Sequence, residues 1–256
     1  MKKFSDPQRP EEVSEGLIEG RNAVTEAIRS GRTINKVFLA DGDTDKALGR
    51  LAAMAKDAGA VVVRIDRRKL NEMSPTGAHQ GIIAAVAAHE YVTVDDILAA
   101  AESRGEAPLL VVCDELSDPH NLGAILRTAE CAGAHGVIIP KRRSVGLTAV
   151  VGKASAGAIE YMPVARVSNI AATLRELKQR GVWIFGTAAE GATRLYEADL
   201  TLPAAIVIGN EGVGMSRIVA EQCDFKVSIP MKGHISSLNA SAAAAILLYE
   251  SVRQRG

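Results

Sequence analysis

The stretch Ile229–Glu250, IPMKGHISSLNASAAAAILLYE, joins a strand end, a polar turn and an alanine-rich helix without interruption. Its turn, Ser236-Ser237-Leu238-Asn239, offers hydroxyls, an amide and main-chain N–H groups at a helix start, where orphan donors and the positive dipole end favour electron-rich atoms. The helix that follows begins with small side chains, Ala242 to Ala245, which let another backbone approach closely. Two readings fit the segment alone: an ordinary capped core helix, or a junction that holds a small ligand.

Working outward, apolar runs alternate with helix-like stretches, the pattern of an α/β protein with a largely parallel sheet. Strand candidates are Leu109–Cys113, Val137–Ile139, Val182–Phe185 and Ala205–Ile208. Before them, Ala23–Ile28 and Lys46–Ala58 read as helices, while Lys36–Leu39, Val61–Ile65 and Gly81–Ala88 read as strands. We therefore expect an arm over 1–15, a small α/β domain over 16–90, a connector over 91–107 and a larger domain over 108–256. Gly105 and Pro108 mark the connector, as does its acidic bias, and Val94–Ala101 within it reads as helical. Residues 1–90, 91–107 and 108–256 carry charges of +1, −3 and +2, for a net charge of zero. An anionic partner would then be gripped by patches rather than by overall attraction.

In open parallel sheets ligands bind beyond the carboxyl ends of the strands. The loop after Cys113 runs Asp114-Glu115-Leu116-Ser117-Asp118-Pro119-His120-Asn121, and Asn121 suits a helix cap. Arg127 interrupts a helix of Leu, Ala and Ile; it is either a paired arginine or a fork for phosphate. After Ile208 comes Gly209-Asn210-Glu211-Gly212-Val213-Gly214, whose glycines permit tight backbone and close ligand approach. Glu211 is either a site residue or a first-turn acid before a helix near Ser216. The order GxxGxG is not a dinucleotide fingerprint, and Gly152-Lys153 is no phosphate loop, since Leu147 and Ala154 stand where Gly and Ser or Thr belong. With Gly186–Gly191 and the opening segment, four such turns can enclose an adenine-sized ligand. His120, His135 and His234 are scattered singly and no metal-ligand spacing appears, so no metal is expected.

The amino terminus has lysines but no apolar run behind them, unlike a secretory signal. No stretch reaches the roughly 18 apolar residues of a membrane helix. Cys113, Cys131 and Cys223 show no paired spacing. A cytoplasmic protein without membrane contact is expected.

The segments NLGAILRTA, IVIGNEGVGMS and IPMKGHISSLNASAAAAILLYE resemble, in order and spacing, the three motifs of the SpoU (TrmH-like) branch of the SPOUT RNA methyltransferases. Gly20-Arg21-Asn22-Ala23-Val24 and His79-Gln80-Gly81-Ile82 resemble the L30e-like RNA-binding domain attached to many members. The resemblance implies a sheet whose carboxyl-terminal segment forms a trefoil knot, a homodimer, and S-adenosylmethionine held by Gly209, Ile229 and Leu238, with Thr187 and Met231 in matching loops. It also implies methylation of a ribose 2′-hydroxyl, with a guanosine of 23S rRNA as the leading target. Arg127 would hold a phosphate and assist deprotonation, reaching the other subunit's cofactor. Asn121 and Glu211 would shape the pocket, and Ser237 and Asn239 would position ribose and Arg127. RNA contacts fall to Arg21, Lys141, Arg142 and Arg143, although a solvated charge run also accounts for the last three. The alternatives are a tRNA-directed enzyme and a non-catalytic RNA-binding ribosome-assembly factor.

Overall fold

A computed structural model describes residues 16–256 apart from 43–44, 75, 87–88, 189–191 and 211. The expected arm over 1–15 and the site candidate Glu211 lie outside the described residues. The chain divides into two units, 1–88 and 89–256.

In the first unit the order is β1 (Leu17–Glu19), α1 (Arg21–Arg29), β2 (Ile34–Ala40), α2 (Lys46–Asp57), β3 (Val61–Ile65), α3 (Arg67–Met73) and β4 (Ile82–Val86). The sheet runs β1-β4-β2-β3, with only β2 and β3 parallel. Helix α2 follows from its sequence: Asp45 caps Ala47 N–H at 2.8 Å, and Leu48, Leu51 and Ala55 repeat at helical spacing into a core shared with Val24, Val37 and Ile82. Arg21 is held within this unit. Its guanidinium donates to Gln80 O at 3.2 Å and pairs with Asp45 at 2.5 Å, while its backbone N–H donates to Gln80 Oε1.

The second unit opens with α4 (Val94–Arg104) and continues β5 (Leu109–Cys113), α5 (Pro119–Cys131), β6 (Gly136–Pro140), α6 (Ala149–Ala154), β7 (Val164–Val167) and α7 (Ile170–Gln179). Then come β8 (Trp183–Thr187), β9 (Thr193–Arg194), β10 (Ala204–Ile208), α8 (Arg217–Ala220), β11 (Phe225–Ser228) and α9 (Ala240–Arg255). All seven strands of its sheet are parallel, in the order β7-β6-β5-β10-β8-β11-β9. Both faces are covered, so strand residues alternate between two cores. Leu109, Val111, Ala204 and Ile206 join α5 and α9 on one side, and Leu110, Val112, Ala205 and Val207 join α4 and α7 on the other.

The stretch 91–107, expected as a connector, falls within the second unit and carries α4. Thr93 and Asp96 form a reciprocal capping box at the head of α4, Gly105 ends it in the left-handed region, and Ile97 and Ala101 are fully buried. Ile97 fills the space left by Gly136, where a Cβ would sit 2.5 Å from its Cδ1. The acidic residues that suggested a linker are the solvent face and first turn of this helix.

Helices α5 and α6 also touch closely. A Cβ on Gly123 would meet Ala154 Cβ at 2.5 Å and Val151 O at 2.9 Å. At the carboxyl end of α9, Arg255 donates to the carbonyls of Ala107, Pro108, Leu200 and Leu202, fixing that end of the helix.

Candidate active site

Because the strands are parallel, the loops after β5, β6, β8, β10 and β11 emerge on one rim of the sheet. Around the ends of β8, β10 and β11 they enclose a cavity of about 520 Å³. Gly209, Ile229, Leu238, Thr187 and Met231 all line it, and so does Ser237. The sequence candidates for cofactor contact are thus brought together by five separate chain positions.

The loop after β10 folds back on itself. Asn210 N–H donates to Gly214 O at 3.0 Å and Gly214 N–H to Asn210 O at 2.9 Å. This return places backbone where a side chain at 209 would stand: a Cβ there would lie 2.3 Å from Gly214 C and Met215 N. Only glycine fits without displacement. The loop is tied to the motif beside it, since Asn210 Nδ2 donates to Glu115 O at 3.0 Å and Asn210 Oδ1 accepts from Gly212 N–H at 2.9 Å. Below it, buried Asp114 accepts from Ser216 N–H at 2.7 Å. Neither Asn210 nor Asp114 was singled out from sequence. A polar residue directly beyond each of two adjacent buried strands was the available signal.

Opposite lies the segment between β11 and α9. Residues 231–239 are exposed, and among the described residues no backbone hydrogen bond reaches any group from Pro230 to Leu238. Its amides and carbonyls are therefore available to a ligand, which is what a main-chain clasp requires.

Asn121 is not a helix cap. Asp118 caps α5, accepting from His120 N–H at 2.9 Å, and Pro119 occupies the first turn. Asn121 instead sits buried in that first turn, where its Oδ1 accepts from Asn239 Nδ2 at 2.9 Å. Asn239 is the cap of α9, taking Ser241 N–H at 2.9 Å and Ala242 N–H at 3.3 Å. One amide pair thus fixes the heads of α5 and α9 against each other.

Arg127 is exposed on α5 and, among the described residues, has no hydrogen-bond or ion partner. Neither it nor Asn121 nor Asn239 lines the cavity. Lys141, Arg142 and Arg143 follow β6 on the same rim. Arg143 is 80% exposed and pairs with Glu115 at 3.0 Å, and both residues have positive φ, 56° and 57°. Arg142 is exposed, and Lys141 is half-buried.

Cys223 is no nucleophile. It packs behind Gly186, where a Cβ would meet its Sγ at 2.5 Å, and burial pushes its thiol up to about 11. His135 is structural. Its Nδ1 accepts from Leu109 N–H at 3.1 Å, its Nε2 faces Glu106 at 3.0 Å, and burial lowers its pKa.

Residues 108–249 match the model of the SpoU rRNA Methylase family. The chain belongs to that family. As a SpoU protein it is an RNA methyltransferase, and residues 17–92 match a second model, RNA 2′-O ribose methyltransferase substrate binding. YacO of Bacillus subtilis, whose name places it among TrmH family tRNA/rRNA methyltransferases, is 49% identical over 238 residues, covering 93% of this chain and 95% of that one. A TrmH family protein of Staphylococcus saprophyticus is 46% identical over 95% of this chain and 97% of its own. Among solved structures, the SpoU methyltransferase AviRb of Streptomyces viridochromogenes in complex with AdoMet superposes with a TM-score of 0.59 at 27% identity, over 93% of this chain and 90% of its own. An AdoMet-bound rRNA methyltransferase of Sinorhizobium meliloti gives 0.59 at 25% identity, over 93% and 86%. The parallel sheet expected from the alternating apolar runs, and the preceding substrate-binding domain expected from Gly20–Val24 and His79–Ile82, accord with these matches.

Proposed function

We propose that this SpoU chain transfers a methyl group from S-adenosylmethionine to a ribose 2′-hydroxyl of RNA, a guanosine of 23S rRNA being the leading target. The observation that carries the reading is the cavity at the ends of β8, β10 and β11, walled by the five residues expected to contact the cofactor. Its size is that of a small-molecule site. Ile208, Met215, Ile229 and Leu238 give it apolar walls for a purine, and the unbonded main chain of Pro230–Leu238 gives polar groups to fix orientation.

When bound, the donor supplies an electrophilic methyl on a sulfonium. The chain's own work is positional: nucleophile and methyl must be held in near-attack geometry, and a weakly acidic hydroxyl needs a partner for its proton. Arg127 grips the adjacent phosphate and assists that proton's departure. Ser237, on the cavity wall, positions the ribose. Asn239 and Asn121, locked together at 2.9 Å, set the relation between the cavity loop and the helix that bears Arg127. The resemblance gives Glu211, which lies outside the described residues, a part in shaping the pocket.

Arg127 stands outside the cavity of its own chain, exposed and without a partner among the described residues. This supports a homodimer in which each Arg127 serves the partner's cofactor. The carboxyl-terminal segment forms the trefoil knot, a reading supported by β10 lying between β5 and β8 while α9 packs back on α5. No disulfide joins the cysteines among the described residues, in keeping with a cytoplasmic enzyme. RNA is held by the first unit and by Lys141, Arg142 and Arg143. A tRNA target is the second reading, favoured by relatives whose names cover both RNA classes.

The test is methylation of purified 23S rRNA and of tRNA with labelled donor, followed by digestion to nucleosides. A labelled 2′-O-methylguanosine from rRNA is expected, and label in tRNA alone selects the second reading. Arg127→Ala is expected to lose roughly 100-fold or more in rate while donor affinity holds. Unchanged turnover refutes the role given to Arg127, and absence of donor binding by the unaltered chain refutes the function.

A further inference from the structure

Among the described residues that line the cavity, Lys226 is the one ionisable side chain. It lies on β11, paired in register with Gly186 of β8. The acid two residues before it, Asp224, is engaged elsewhere, by Lys178 at 2.6 Å and by Ile184 N–H at 2.9 Å. Among the described residues Lys226 has no hydrogen-bond or ion partner of its own. With no other ionisable side chain among the described lining residues, Lys226 is the group there that would favour an anion in the ligand.

S-adenosylmethionine offers one such group. Its sulfonium and α-ammonium are positive and would be repelled, so only its carboxylate suits this wall. We propose that Lys226 receives the donor's carboxylate, thereby selecting an amino-acid-bearing donor and fixing which end of the ligand faces β11. The assignment rests on the donor reading above and adds a contact that the three motifs do not contain. Because Lys226 is exposed, the pair is partly screened, and removing it weakens binding about three- to tenfold rather than abolishing it.

Calorimetric titration of the full chain, with Lys226→Gln and Lys226→Arg, against S-adenosylmethionine and its decarboxylated analogue tests this. Lys226→Gln should weaken the carboxylate-bearing donor by that factor, Lys226→Arg should restore it to within about twofold, and the decarboxylated donor should bind both chains alike. Equal loss for both donors overturns the assignment, since shape rather than charge was then disturbed. Unchanged donor affinity with weakened RNA retention on filters also overturns it, placing the ammonium on a phosphate. If the unaltered chain binds neither donor, the donor reading falls and takes this assignment with it; normal binding by an indifferent Lys226→Gln chain removes this assignment alone.

Discussion

Gly209→Ala isolates the contribution of the cavity wall from that of the fold. A Cβ at 209 would stand 2.3 Å from Gly214 C and Met215 N and 2.7 Å from Gly214 O. Carbon contacts are comfortable near about 3.5–4.0 Å, so the returning backbone must retreat by about 1 Å or more. That retreat stretches both hydrogen bonds between Asn210 and Gly214, now 3.0 and 2.9 Å, beyond useful length. Overpacking costs about 1–3 kcal/mol, and each lost bond adds about 0.5–1.5 kcal/mol. The sheet beneath does not depend on the loop, so part of this cost appears as a displaced wall rather than as unfolding. At about 1.4 kcal/mol per tenfold, donor affinity should fall at least about tenfold. Gly212→Ala is the control in the same loop, because its Cβ would meet only Asn210 Oδ1 at an ordinary 3.6 Å. Calorimetry with S-adenosylmethionine and urea unfolding of both variants decide the matter. Near-native donor affinity in Gly209→Ala, or equal losses in the two variants, refutes the reasoning.

Two further predictions concern how the site is held. Asn239→Ala removes the cap of α9 and the donor to Asn121, and should cost about 1–3 kcal/mol in urea unfolding; with Asn121→Ala it should show a coupling of about 0.5–1.5 kcal/mol, and additivity would deny the amide pair. Glu250, buried on α9, is held down to about 2 from its usual 4.5, chiefly by the Arg253 guanidinium and also by Gln254, against the opposing effect of burial. A depressed carboxylate stabilises the fold fully above its unfolded pKa and loses that contribution as pH falls from about 4.5 toward 2. Glu250→Gln should therefore flatten the decline of stability across that window, and an unaltered acid limb would contradict the assignment.

The parts of the molecule readable from sequence share one property: their signal is local. Strands such as Leu109–Cys113 and Ala204–Ile208 are buried on both faces, so they read as continuous apolar runs. The cavity walls lie where those runs break into glycine and polar residues, and it was the resemblance to the family's motifs that marked Gly209, Ile229 and Leu238 there. Errors arose where two residues compete for one local role. Asp118 and Asn121 both suit a cap; Pro119 between them decides for Asp118, because proline belongs in the first turn. In α4 the helix expected over Val94–Ala101 is present and runs on to Arg104, and Ile97 and Ala101, four apart, carry its buried stripe.

What was not readable depends on distance along the chain. Asn121 and Asn239 are 118 residues apart, and each alone passes for a helix cap; only their meeting makes them a hinge point between the cavity loop and Arg127. Lys226 illustrates the limit more sharply, for a lysine on a strand near the sheet edge is the ordinary device that keeps edges from pairing. Its meaning comes from the uncharged company that β8, β10 and the loop before α9 bring to it. Charge in a binding site is a property of the assembled wall. The positive residue among the described ones on that wall therefore says more about the ligand than any count over the whole neutral chain.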